Sequence, residues 1–334
     1  MIIFVFIVLI ILICVLVLRI NKIIKKHKYL KNQYLNLYED KKNLALLLDD
    51  SKKTHETLIS KNISQNIPSN VDEITKIFSF KGPALGDTII CNKSVVKKDN
   101  ILEIDGIKFS SWTAWGLSEI FGRKDYEFGG LKDCIFIDVG ANTADSTLYV
   151  ASLNCIAYVY AYEPFKATYE VAKKNISLNP ELESKIHLLN YGWSNETSLL
   201  EAIVIWNSGA TNSINNHFID IYSSSNKIDI GTKTKEMLEI KESKTELLSI
   251  IKKHTNQPII LKMDIEGSEY DCLENIADVL SYVDILIIEW HFQGYKSITE
   301  QLEKYNFVWF NECLAPEVGL IRAYNRNKKN MNRN

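Results

Sequence analysis

The sequence predicts a doubly wound α/β domain, and three observations point there. Short apolar runs recur at residues 134–139 (CIFIDV), 157–163 (AYVYAYE), 185–192 (KIHLLNYG), 258–265 (PIILKMDI) and 284–290 (DILIIEW). Near-continuous Ile, Val, Leu and Tyr of this kind makes strands buried on both faces. Stretches of helical character, such as TYEVAKKNISLN (168–179) and EYDCLENIADVL (269–280), separate several of the runs, and that alternation gives a mostly parallel sheet. Finally, the runs end on glycine, acidic or polar residues, where an open parallel sheet places its ligand.

The rest of the chain is organised around that body. With 334 residues, 46% hydrophobic and 24% charged, the chain is neither disordered nor fibrous. Residues 1–18 carry no charge and, with Ile20, form an apolar run long enough to approach the thickness of a bilayer core. Arg19, Lys22, Lys25, Lys26, Lys28 and Lys31 follow with no acid among them. Cations after the apolar run, and no small-residue cleavage site, predict a single-pass anchor over residues 1–20 in place of a cleaved signal peptide, with the body on the cytoplasmic side. From Ile20 a heptad register runs through Ile23, His27, Leu30, Tyr34, Leu37, Lys41, Leu44 and Leu48, which predicts a helical stalk over residues 21–59 that either pairs two copies through residues 20–48 or, as a single amphipathic helix, packs on its own domain or lies on the bilayer. Residues 60–76 form a linker, residues 77–325 the α/β domain, and residues 326–334 a basic, solvated tail. ILEIDGIKF (101–109) is a hairpin turning at Asp105-Gly106.

Charge and cysteine usage narrow the function. All 41 Asp and Glu but only 28 of the 39 Lys and Arg lie between residues 32 and 319, so the body is acidic and nucleic acid is not an expected partner. The six cysteines are scattered singly, which indicates neither a zinc site nor a disulfide framework. The sequons at Asn62, Asn92, Asn175 and Asn195 read as chance triplets in an Asn- and Ser-rich chain.

The strand ends carry the chemistry. The first run closes as Asp138-Val139-Gly140-Ala141-Asn142-Thr143-Ala144-Asp145 ahead of a helix, STLYVASL. Glycine lets backbone amides approach a ligand, and a helix N-terminus adds positive potential. A dinucleotide would want two further glycines, and Asp138 would repel its diphosphate, whereas the cationic amino-acid moiety of S-adenosylmethionine suits an anion there. Glu163, ending the second run, can accept both hydroxyls of a ribose. Asn190, Tyr191 and Gly192 end the third and offer polar and aromatic surface to an adenine.

FIDVGANTADSTLY, AYEPFKATYEVAKKNISLN, HLLNYGWSNE, IILKMDIEGSEYDCLENI and ILIIEWHF together resemble the FkbM-type methyltransferases, over about residues 100–325. The resemblance implies a Rossmann-like class I methyltransferase fold, a seven-stranded mostly parallel sheet with one antiparallel strand, and methyl transfer from S-adenosylmethionine to a hydroxyl of a glycan, glycolipid or similar small acceptor. It matches Asp138, Gly140 and Asn142 to the cofactor loop, alongside Ala141, and Glu163 to the ribose acid. Ala144 stands where the family usually has glycine, which is tolerable if its φ is negative.

Removing a proton from a hydroxyl calls for a base at the fourth or fifth strand end. Asp264, Glu266 and His291 are the candidates, with Asp264 near cofactor and acceptor and His291 or Glu266 as base; the plainer reading of Glu266 is a helix cap. Cofactor positioning and acid/base work account for these residues without a metal, although Mg²⁺ held by the same three is an alternative. The competing function is a non-catalytic membrane scaffold that keeps a methyltransferase-like domain on a dimeric stalk. The acceptor half of the cleft is expected in variable loops such as residues 207–227.

Overall fold

The computed structural model describes residues 78–81, 88–91, 95–98, 100–111, 114–128, 130–205, 233–315 and 317–326. The expected anchor, stalk and linker, the loop at 207–227 and most of the basic tail lie outside the described residues. Among the described residues no helix is long and apolar enough to cross a membrane.

The chain opens with short antiparallel strands. β1 (Phe78–Lys81) pairs β2 (Thr88–Cys91), and β3 (Val95–Lys98), β4 (Ile101–Ile104) and β5 (Ile107–Phe109) form a meander whose last turn is at Asp105-Gly106. A short helix, α1 (Ala114–Leu117), continues as a wider π-helical segment through Ser118–Arg123. The alternating part follows: β6 (Cys134–Val139), α2 (Asp145–Ser152), β7 (Ile156–Tyr162), α3 (Lys166–Ser177), α4 (Pro180–Glu183) and β8 (Ile186–Leu189). Next come β9 (Gly192–Ser194), β10 (Ser198–Ile205), β11 (Lys233–Glu242), α5 (Ser243–Lys253), β12 (Ile259–Met263), α6 (Glu269–Ile276), β13 (Ile285–His291), α7 (Lys296–Lys304), β14 (Phe307–Ala315) and β15 (Val318–Asn325).

Seven strands form the central sheet in the order β14-β15-β13-β12-β6-β7-β8. β8, β7, β6, β12 and β13 are parallel, and β15 inserts antiparallel between β13 and β14. This is the expected Rossmann-like methyltransferase sheet with its single antiparallel strand. The order reverses between β6 and β12, and beyond the carboxyl ends of the strands at such a point open α/β sheets bind their ligands.

Every residue of β6, β12 and β13 is buried, as their unbroken apolar runs require. Alternate side chains serve opposite faces: Phe136, Ile260 and Ile287 pack beneath α2 with Leu148 and the hairpin residues Leu102 and Phe109, while Ile137, Leu261 and Leu286 pack with Leu247 of α5 and Leu273 of α6. Each such Leu, Ile or Phe contributes about 1.5–3 kcal/mol by leaving water.

Asn175 of α3 and Asn179, just ahead of α4, tie the β4–β5 hairpin to the body. Asn179 exchanges hydrogen bonds with both backbone groups of Lys108, and Asn175 accepts from the Ser110 amide and donates to the Ser111 and Thr143 carbonyls. Asn175 is completely buried, so in the folded chain its sequon cannot carry a glycan. Among the described residues no disulfide forms. A second sheet, β10-β11-β9, extends from the third strand end, with Leu199 and Met237 exposed on it.

Candidate functional site

The loop after β6 is built by close approach of backbone. Gly140 has φ +86°, and a Cβ added there would lie 1.9 Å from the Asp264 carbonyl oxygen. Only glycine fits where the β6 and β12 loops cross. The amides of Gly140 and Ala141 both donate to the Tyr162 carbonyl, at 3.0 and 2.9 Å, which pins the loop against the end of β7. Ala144 then adopts φ +65° and ψ +28°, the left-handed conformation, while fully buried. The negative φ that would make alanine comfortable here is not adopted, so its methyl is held under strain of about 1 kcal/mol.

Glu163 meets the loop from the second strand end. Its Oε2 accepts the Asn142 amide at 3.0 Å and its Oε1 accepts the Phe165 amide at 2.9 Å. Burial pushes its carboxyl up to about 8, against the two amides that favour the charged form. Asn190 braces the same corner by donating to the Glu163 and Pro164 carbonyls. Gly140, Ala141, Asn142, Glu163 and Asn190 are therefore brought together as the strand ends predict. Among the described residues Asn142 Oδ1 and Thr143 Oγ1, both enclosed in this loop, find no hydrogen-bond partner.

Three expected cofactor residues are placed differently. Asp138 does not present an anion to the crevice: it is fully buried, its Oδ2 accepts from Ser146 and Thr147 at 2.7 Å each, and its Oδ1 lies 2.9 Å from Lys262 Nζ. The pairing follows from register, since Lys262 of β12 sits directly beside Asp138 of β6. Burial disfavours the Lys262 charge, but Asp138 and Asp264 outweigh it and hold the ammonium above its usual range. Lys262 also donates to the Gly140 carbonyl at 2.7 Å and reaches Asp264 at 3.6 Å. Tyr191 directs its hydroxyl to Glu246 of α5, 2.8 Å away, and packs its ring on Tyr162. Gly192 opens β9 against Pro164 and Ile240, where its lack of a side chain serves packing.

The expected catalytic residues converge at the β12 and β13 ends. Asp264 is partly exposed. Glu266 has φ +54° and its Oε2 is 3.5 Å from His291 Nε2. His291 Nδ1 lies 3.0 Å from Glu269 Oε1. At the start of α6 the N-cap residue Ser268 makes no side-chain cap, and Glu269 instead holds the preceding loop by accepting the Ile265 and Gly267 amides. Two further buried acids join the group from other elements. Glu289 of β13 lies 3.8 Å from His291 Nε2, and Glu119 of the π-helical segment faces Asp264.

Burial raises the carboxyls of Glu266 and Glu289 well above the ordinary range, and burial with repulsion from Asp264 brings Glu119 to about 8. Burial opposes the His291 charge, yet Glu266 and Glu269 prevail and raise it. Such displacement of proton affinities in one crevice is what acid and base chemistry requires. One oxygen each from Asp264 and Glu269 and one His291 ring nitrogen lie within 4.8 Å of one another, a spacing also compatible with a metal ion.

Comparison with known proteins gives one decisive match. The Methyltransferase FkbM domain matches residues 138–310, more than half of the chain. Solved structures resembling the chain include Methyltransferase FkbM from Methylobacillus flagellatus KT, at 15% identity over 62% of this chain and 47% of that one, with a TM-score of 0.40. An uncharacterized protein from Listeria monocytogenes serotype 4b gives 15% identity over 60% and 64%, at 0.35. TrmK of M. capricolum, in complex with S-adenosyl-homocysteine, gives 13% over 60% and 65%, at 0.33. The chain thus spans about half of the first of these and under two thirds of the other two. No curated protein matches significantly. On the residues matched and the sheet they build, the chain belongs to the FkbM methyltransferase family.

Proposed function

We propose that the protein is an S-adenosylmethionine-dependent O-methyltransferase, held at a membrane by residues 1–20 with its domain in the cytosol, that methylates a hydroxyl of a glycan, glycolipid or similar small acceptor. The observation that carries the cofactor reading is the Glu163–Asn142 hydrogen bond, which sets a ribose-binding carboxylate beside a glycine loop. The enclosed, partnerless Asn142 Oδ1 and Thr143 Oγ1 fit a loop that expects a polar ligand. Glu163 keeps lone pairs for the ribose hydroxyls, and Asp264 with its acidic neighbours suits an α-ammonium.

When bound, the cofactor supplies an electrophilic methyl on a sulfonium. The chain's residues must hold the acceptor in line and take its proton. The Glu266–His291 pair takes this proton: Glu266 Oε2 and His291 Nε2 lie 3.5 Å apart, and the His291 charge opposes the rise that burial gives the Glu266 carboxyl. Bound S-adenosylmethionine would give its methyl to the acceptor oxygen and leave as the neutral thioether, and the hydroxyl proton would pass to the Glu266–His291 pair. The apolar N-terminal run and the cations behind it support a membrane-bound acceptor, and the heptad stalk supports pairing of two copies. Mass spectrometry of membrane glycans and lipids from cells with and without the gene tests the reading. One species gaining a CH₂ with the gene is expected, and identical profiles contradict it.

A further inference from the structure

His291 is held at two points by consecutive residues of one helix. Neighbouring helix positions point about 100° apart, so the first two residues of α6 can reach different parts of the β13 end. Glu269 holds the ring, with its Oε1 3.0 Å from Nδ1. Tyr270 holds the backbone, its hydroxyl donating to the His291 carbonyl at 3.1 Å and to the Gly294 carbonyl at 3.0 Å. Between those carbonyls Phe292 takes a left-handed backbone, φ +57°, and its amide donates to the Glu317 carbonyl at 2.7 Å. A bulky residue keeps such a conformation only where its surroundings impose it, and the Tyr270 hydroxyl is part of what does so.

The contacts of Glu269 decide which ring nitrogen bears the fixed proton. Glu269 is fully buried; its Oε1 accepts the Ile265 amide at 3.1 Å and its Oε2 the Gly267 amide at 2.9 Å. With N–H donors on both oxygens it is an acceptor-only carboxylate, so Nδ1 is the nitrogen that carries hydrogen. Nε2 then faces Glu266 Oε2 at 3.5 Å and Glu289 Oε1 at 3.8 Å. The Glu266 side chain is 19% exposed and that of Glu269 not at all, so the Nε2 side of the ring is the one nearer solvent.

We propose that Glu269 and Tyr270 are positioning residues for methyl transfer: Glu269 keeps the Nδ1 proton in place throughout and Tyr270 fixes the ring's height, so that Nε2 alone exchanges protons with the acceptor. This rests on the transferase reading. When the acceptor oxygen takes the methyl and a neutral thioether is left, the hydroxyl proton passes to the pair of Nε2 and Glu266. No proton leaves Nδ1, and Glu269 stabilises the charged ring from behind.

Proton NMR of the detergent-solubilised full chain, labelled with ¹⁵N-histidine and kept in EDTA, tests the arrangement. An Nδ1–H bonded to a buried carboxylate resonates at low field and exchanges slowly with water. One such ¹⁵N-coupled signal is expected, and its loss in His291→Gln assigns it. Glu269→Gln should lose it from low field, and cells carrying that variant should lose the CH₂-bearing membrane species. Tyr270→Phe, which leaves Glu269 in place, should keep the signal but lose its protection from exchange. Should Glu269→Gln fail to fold, the wild-type signal and Tyr270→Phe decide. A folded wild type without the signal, survival of the signal in Glu269→Gln, or unchanged exchange in Tyr270→Phe overturns the proposal. The signal in a wild-type chain that binds no S-adenosyl-homocysteine would leave the hold on the ring standing and sink the transferase reading instead.

Discussion

Gly140 and Asp264 cross so closely that a methyl group on the glycine would stand 1.9 Å from the aspartate's carbonyl oxygen. That contact locks the loop after β6 to the loop after β12 at the point where the sheet reverses order. Gly140→Ala must move one loop, and it also places a side chain at φ +86°. Strain and overpacking together should cost about 3 kcal/mol or more, read by urea denaturation, and S-adenosyl-homocysteine binding should be lost. A variant as stable as wild type would show that the two loops part easily.

Ala144 offers the opposite change. Its left-handed backbone is the one that glycine adopts freely. Ala144→Gly should raise stability by about 1 kcal/mol and should not weaken cofactor binding. A drop in melting temperature would mean that the lost methyl matters more to packing than the relieved strain.

The Lys262–Asp138 pair is buried on both sides, so removing one partner strands a charge. Lys262→Met should destabilise the domain by about 3–5 kcal/mol. The double variant Lys262→Met with Asp138→Asn should recover a large part of that loss. Additive losses in a double-mutant cycle would refute the coupling.

Glu163 gives a pH dependence with a definite sign. The unfolded chain releases this proton near 4.5 and the folded chain near 8, so folding takes up a proton between those values. The contribution is fully present below the lower value and is lost as pH rises through the higher one, with a slope of at most about 1.4 kcal/mol per pH unit. Glu163→Gln should flatten the fall in stability between pH 5.5 and 8.5, although it lowers stability overall by losing one acceptor. An unchanged slope would place the titration elsewhere.

The parts of the molecule that repeat were readable from residues alone. Runs such as 134–139 and 285–290 have no solvated face, so their apolar continuity announces the central strands. Gly140, Asn142 and Glu163 were legible because chain position puts them at strand ends. Long-range pairings were not. Nothing near Lys262 reveals that register sets it beside Asp138, more than a hundred residues earlier, so Asp138 read as an open anion. Glu119 and Glu289 were given no role for the same reason: one comes from a π-helical segment outside the strand pattern and the other sits in an apolar strand, and only folding shows that both face Asp264. The signal for Glu269 was present in KMDIEGSE, where it opens the helix; Glu266, nearer the strand, drew the capping role.

S-adenosylmethionine is proposed to bind where the β6 and β12 loops meet. Isothermal titration of S-adenosyl-homocysteine into the full chain tests it most directly. The account predicts one site per chain, lost in Glu163→Ala while the fold survives by circular dichroism. No heat of binding to the folded wild-type protein would contradict it.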